Sequence, residues 1–84
     1  MRGLYELFLQ DVAVYHTLLS KLNPQESSSQ AERKECVLCL GVLLAHSTTL
    51  SRLFTRSLST LTQLHQIAPR VTLYLLGECQ VEPR

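Results

Sequence analysis

Cys36 to Ala45 is the longest uninterrupted apolar run in this chain of 84 residues, and it constrains the fold more than any other feature. Its ten residues, Cys-Val-Leu-Cys-Leu-Gly-Val-Leu-Leu-Ala, reach only about half of the roughly 18–20 needed to cross a bilayer, so no membrane span is expected. A helix apolar on every side is stable only when neighbours surround it, which predicts that this segment is the central helix of an all-α domain. Gly41 lies inside it, where the lack of a side chain permits close approach of another helix at a cost of about 1 kcal/mol relative to alanine.

The surrounding helices can be read from their periodicity. Leu4, Phe8, Val12, Tyr15, Leu19 and Leu22 fall three or four apart, with Leu7 and Leu18 widening the stripe, and predict a helix near 4–22. Asn23-Pro24 stops it, because proline biases the preceding residue away from the α region, and Gln25 to Gln30 reads as an exposed connector. The central helix, near 31–46, should start at one of Ser28 to Gln30, since Ser29 followed by Glu32 has the capping-box spacing. After His46-Ser47-Thr48-Thr49 the stripe Leu50, Phe54, Leu58, Leu61, Leu64 and Ile67 predicts a third helix near 49–67. Pro69 suits the first turn of a short fourth helix near 70–76, with Gly77 as its stop. Val71 to Leu75 also alternates as a strand would, but a lone strand has nothing to pair with. The expected fold is all-α, three main helices plus a short fourth in a single domain over 1–84.

Composition narrows the classes of function. Hydrophobic residues make up 45% of the chain and charged residues 18%, which describes a folded chain with apolar surface to spare. Eight Lys and Arg against seven Asp and Glu leave a net charge of +1, too small to gather nucleic acid or anionic lipid from a distance. Three cysteines, and an opening stretch that carries Glu6 and Asp11 without a small-residue cleavage site, point to a reducing intracellular setting, cytoplasm or nucleus.

Chemical sites are sparse. Cys36-Val37-Leu38-Cys39 has C-x-x-C spacing and, with His46 or Cys79, suggests a metal or redox site; but zinc pairs sit on polar or glycine-rich turns, whereas this one lies in the most apolar stretch, where cysteine packs as a small hydrophobe. His16, His46 and His65 share no motif, no nucleophile elbow is present, and Gly3, Gly41 and Gly77 are too far apart to cradle a phosphate. No enzyme activity, cofactor or metal is expected. Between His46 and Gly77 there is no acid, while Arg52, Arg56 and Arg70 occur and the first two share a helix face; this basic face reads first as a solvated face and second as a surface for an acidic protein, and it neutralises too few phosphates for tight nucleic-acid binding. Arg56-Ser57-Leu58-Ser59 has the spacing of a basic-directed kinase site, inside an expected helix that would hide it.

What remains is a protein–protein interaction module, a subunit of a larger assembly that binds another protein or a second copy of itself. Leu4, Tyr5, Phe8, Val12 and Tyr15 on the first helix are the expected anchors, with Arg52 and Arg56 on the third as the other candidate surface. The alternatives are a metal- or redox-linked domain built on Cys36 and Cys39, and a weak nucleic-acid binder using Arg52, Arg56 and Arg70.

Tyr15 to Leu22, the break, then Ala31 to Ala45 and Leu50-Ser51-Arg52-Leu53-Phe54 resemble armadillo/HEAT-type helical repeats over about half of the chain. That resemblance implies protein binding on a helical surface, and a chain this short would be a piece of a longer solenoid; an ordinary three- or four-helix bundle explains the same residues nearly as well. It departs from the family in the long Gln25 to Gln30 connector and in having no clear second repeat.

Overall fold

The computed structural model describes residues 2–23 and 29–79, with the backbone alone described for 2–9. It contains five helices among these residues: α1 (Arg2–Lys21), α2 (Gln30–His46), α3 (Thr48–Arg56), α4 (Leu58–Ile67) and α5 (Pro69–Glu78), and no strand. The expected all-α class holds; the count differs, because the third helix is two.

Local chemistry sets most of the boundaries. Ser29 caps α2: its Oγ accepts from Glu32 N–H at 3.2 Å and donates to Glu32 Oε1 at 3.3 Å, so one hydroxyl serves an orphan amide and orients the first-turn acid. Ser47 serves two helices. Its N–H donates to the Leu43 carbonyl at 2.9 Å, closing α2, and its Oγ accepts from Leu50 N–H at 3.1 Å, opening α3. The chain turns through 113° at this residue.

The expected helix 49–67 breaks at Ser57, whose φ of −88° and ψ of 88° lie outside the α region. Ser57 Oγ donates to Thr60 Oγ1 at 2.8 Å, a local bond that competes with helix propagation. The tertiary consequence is visible in Leu58, assigned to the buried stripe by spacing but 77% exposed. At the other end, Gly77 does not stop α5. No glycine among the described residues has positive φ, and the helix continues because Cys79, one turn beyond Leu75, is buried and donates Sγ–H to the Leu75 carbonyl at 3.3 Å. The alternating Val71 to Leu75 segment is helical, with Pro69 at the start of α5.

Helices pack in the order α1 on α2, α2 on α5 and α5 on α4, with α3 bridging α2 and α4, so α2 is the centre as expected. The core joins Tyr15 and Leu22 from the α1 end, Cys36, Leu40 and Leu44 of α2, Leu50 and Phe54 of α3, Leu64, Leu75 and Cys79. Burying each leucine completely contributes about 1.5–3 kcal/mol relative to leaving it in water. Gly41 is buried under Tyr74 of α5, which is what lets these two helices approach.

One expectation about α2 fails. It is surrounded on one side only: Cys36, Leu40, Gly41 and Leu44 are buried, while Leu38 and Val42 are 50% and 60% exposed and Cys39 is exposed beside them. α1, α3 and α5 are the helices packed on α2, and they leave the flank of Leu38 and Val42 open.

Candidate functional site

The residues expected to form a partner-binding stripe on α1 are divided by the fold. Tyr15 is 1% exposed and forms part of the core, and Val12 packs against that core. Tyr15 is therefore a structural anchor rather than a surface contact, because the same periodicity that would fit a partner groove also fits the protein's own α2. Leu4, Tyr5 and Phe8 lie on the helical backbone of α1, and their side chains fall outside the described residues.

Arg52 and Arg56 are both exposed, one turn apart on α3. With Thr49, Leu53 and Ser57 they edge a shallow depression of about 350 Å³. Arg70 is exposed on α5. The Arg56-Ser57-Leu58-Ser59 segment is not inside one continuous helix: Ser57 is the junction and Ser59 is exposed in the first turn of α4.

The cysteines do not form a set. Cys36 is buried, Cys39 exposed and Cys79 buried, all as free thiols. Among the described residues no group of three or more His, Cys, Asp or Glu gathers as metal ligands would. His46 donates Nδ1–H to the Val42 carbonyl at 2.9 Å, one turn back along its own helix. Cys79 instead belongs to a buried polar cluster with Tyr15 and Ser51. Burial pushes the Cys79 thiol up, partly offset by its hydrogen bond with Ser51, and burial followed by the neighbouring Cys79 pushes the Tyr15 phenol up to about 12. Ser51, 1% exposed, donates Oγ–H to the Leu44 carbonyl at 2.6 Å. That bond satisfies a terminal carbonyl of α2, so the cluster holds α2, α3 and the end of α5 together, shut away from solvent.

An accessible apolar feature lies on the open flank of α2. Leu38, Cys39, Val42 and Leu43 line an almost wholly apolar depression of about 370 Å³. Positions 38 and 42 are four apart and 39 and 43 likewise, so all four lie on one side of the helix. Exposed Glu35 precedes them by one turn. Sequence periodicity could not find this surface, because in a fully apolar run every face looks alike. No protein family, curated protein or solved structure matches the chain. Among the described residues no single helix is long and apolar enough to cross a membrane, and the α2–α3 pair, which passes on length and composition, is bent by 113°.

Proposed function

We propose that the protein is a non-enzymatic interaction module of a larger intracellular assembly, docking a helical segment of another protein on the outward flank of α2. The observation that carries this reading is the exposure of Leu38 and Val42, 50% and 60%, on the helix that otherwise forms the centre of the core. Monomeric proteins seldom leave contiguous large apolar side chains in water, and two aliphatic side chains one turn apart suit the i, i+4 spacing of a partner helix. Glu35 at one end of the flank favours a partner with a basic residue in register. Protein binding on a helical surface is also what the armadillo/HEAT-like resemblance of Tyr15 to Leu22, Ala31 to Ala45 and Leu50 to Phe54 implies.

The test is a paired substitution, Leu38→Asp with Val42→Asp, followed by co-purification of the tagged chain from its native cells and by circular dichroism. Both side chains are surface groups, so helicity and the thermal midpoint should hold, while the stoichiometric partner is lost. Retention of the same partner by the folded double variant contradicts the proposal.

A second reading has one observation in its favour: Leu53, 40% exposed, stands between Arg52 and Arg56 on α3. That combination would suit an acidic protein segment. Arg52→Glu with Arg56→Glu separates this reading from the first, since it leaves the α2 flank untouched.

A further inference from the structure

We infer that the protein has a second docking site, a groove between the end of α1 and α4, and that it receives an acidic amphipathic helix of another protein. It is a different surface from the α2 flank: Arg33 and Val37 lie roughly a third of a turn around α2 from Leu38 and Val42, at 100° per residue.

The groove follows from the packing order. Among the described residues α1 rests on α2 and α4 on α5, and these pairings are more extensive than any between α1 and α4. A polar cleft of about 280 Å³ lies between them, lined by His16 and Ser20 on one wall and Thr60 and Gln63 on the other. It adjoins a larger, mainly apolar cavity of about 410 Å³ that includes Val37 and Val71. Leu22, Leu64 and Ile67 line both, so the two form one trough whose apolar floor is the buried pair Leu22 and Leu64 and whose accessible apolar group is Ile67, 45% exposed.

Charge selects the occupant. Arg33 and Lys34 line the apolar half, and among the described residues neither half is lined by an acid. Among the described residues, the buried side-chain nitrogen without a hydrogen-bond partner is Arg33 Nε. A buried guanidinium donor normally has an acceptor, and a carboxylate is the acceptor whose geometry fits it best. A helix with leucine-like anchors for Ile67 and the floor of Leu22 and Leu64, and a glutamate or aspartate facing Arg33 and Lys34, meets both demands.

The test uses the whole chain and two fluorescein-labelled amphipathic 16-residue peptides with leucines at i, i+3, i+4 and i+7, one flanked by glutamates and one by lysines. Fluorescence anisotropy should show the glutamate peptide binding at least tenfold more tightly. Lys34→Gln, at an exposed position, should weaken it several-fold, Arg33→Gln at least tenfold, and Ile67→Asp should abolish binding, with helicity retained in each. The double change Arg33→Glu and Lys34→Glu should reverse the preference. Equal affinity for both peptides, no binding of either, or indifference to Arg33 and Lys34 overturns the groove. Binding lost in the Leu38→Asp, Val42→Asp variant but kept in Ile67→Asp overturns it while supporting the α2 flank. Dimerisation of the chain that Ile67→Asp abolishes overturns it in favour of a second copy as occupant.

Discussion

The Tyr74 ring lies directly over Gly41: a Cβ built on Gly41 would stand 3.0 Å from the Tyr74 hydroxyl oxygen, 3.1 Å from Cε2 and 3.3 Å from Cζ. The glycine sits in the middle of a helix, where it costs about 1 kcal/mol relative to alanine, so its compensation is the close crossing of α5 over α2. Gly41→Ala adds helix propensity and removes that fit together. In the native background the two effects should nearly cancel, whereas in a Tyr74→Ala background the same change should stabilise by about 1 kcal/mol. A coupling of at least about 0.5 kcal/mol in urea unfolding is expected from the double-mutant cycle; additivity would mean that Tyr74 moves aside freely.

Ser51→Ala should destabilise by about 1–3 kcal/mol, because it leaves the buried end of α2 without the 2.6 Å bond to the Leu44 carbonyl. Loss of an exposed hydroxyl such as Ser59 should stay within about 0.5 kcal/mol. Urea midpoints at constant slope measure both.

The third-helix break makes a contrast that composition alone would not. Phe54→Ala should cost about 3–5 kcal/mol, enough to unfold much of a domain this small, since Phe54 is fully buried. Leu58→Ala, at a position with the same helical spacing but 77% exposed, should cost less than about 0.5 kcal/mol. Thermal unfolding followed at 222 nm separates them.

Alkaline pH should loosen the fold through Tyr15 and Cys79. Both groups hold their protons more tightly when folded, so the stability they contribute is complete below their unfolded values and is lost as pH rises through the folded ones. For Tyr15, with its phenol near 12 against an ordinary value of 10, the loss falls between about pH 10 and 12 and is on the order of 2 kcal/mol. For Cys79 the loss begins above about pH 9, the ordinary value of its thiol. Tyr15→Phe with Cys79→Ala should flatten the fall in thermal midpoint over this range; an undiminished slope would place its cause elsewhere.

The helical class, the Ser29 cap, the Ser47 turn, the Pro69 start and the central position of α2 follow from rules acting over a few residues, which is why they can be read along the chain. The misreadings have other causes. Ser57 breaks a helix whose hydrophobic spacing is continuous, through a local bond to Thr60 that the spacing does not register, and Cys79 extends α5 past Gly77 because its burial across the fold outweighs the glycine's preference. The site was less legible still. Tyr15 has the spacing of an interface anchor and is a core residue, since periodicity names the apolar side of a helix without saying whose surface covers it. The α2 flank and the groove beside Arg33 are invisible to such patterns, because one is a face chosen within an all-apolar run and the other exists only between helices distant in sequence.

Cys39 offers the most direct test of the docking flank, because it is an exposed thiol between Leu38 and Val42 while Cys36 and Cys79 are buried. A benzophenone attached to Cys39 and activated by light in the native cell extract should join the chain to one discrete polypeptide, and Leu38→Asp with Val42→Asp should reduce that product at least tenfold in a chain of unchanged helicity. A product whose yield is indifferent to the aspartates, or no product at all, would contradict the assignment of this flank as the docking surface.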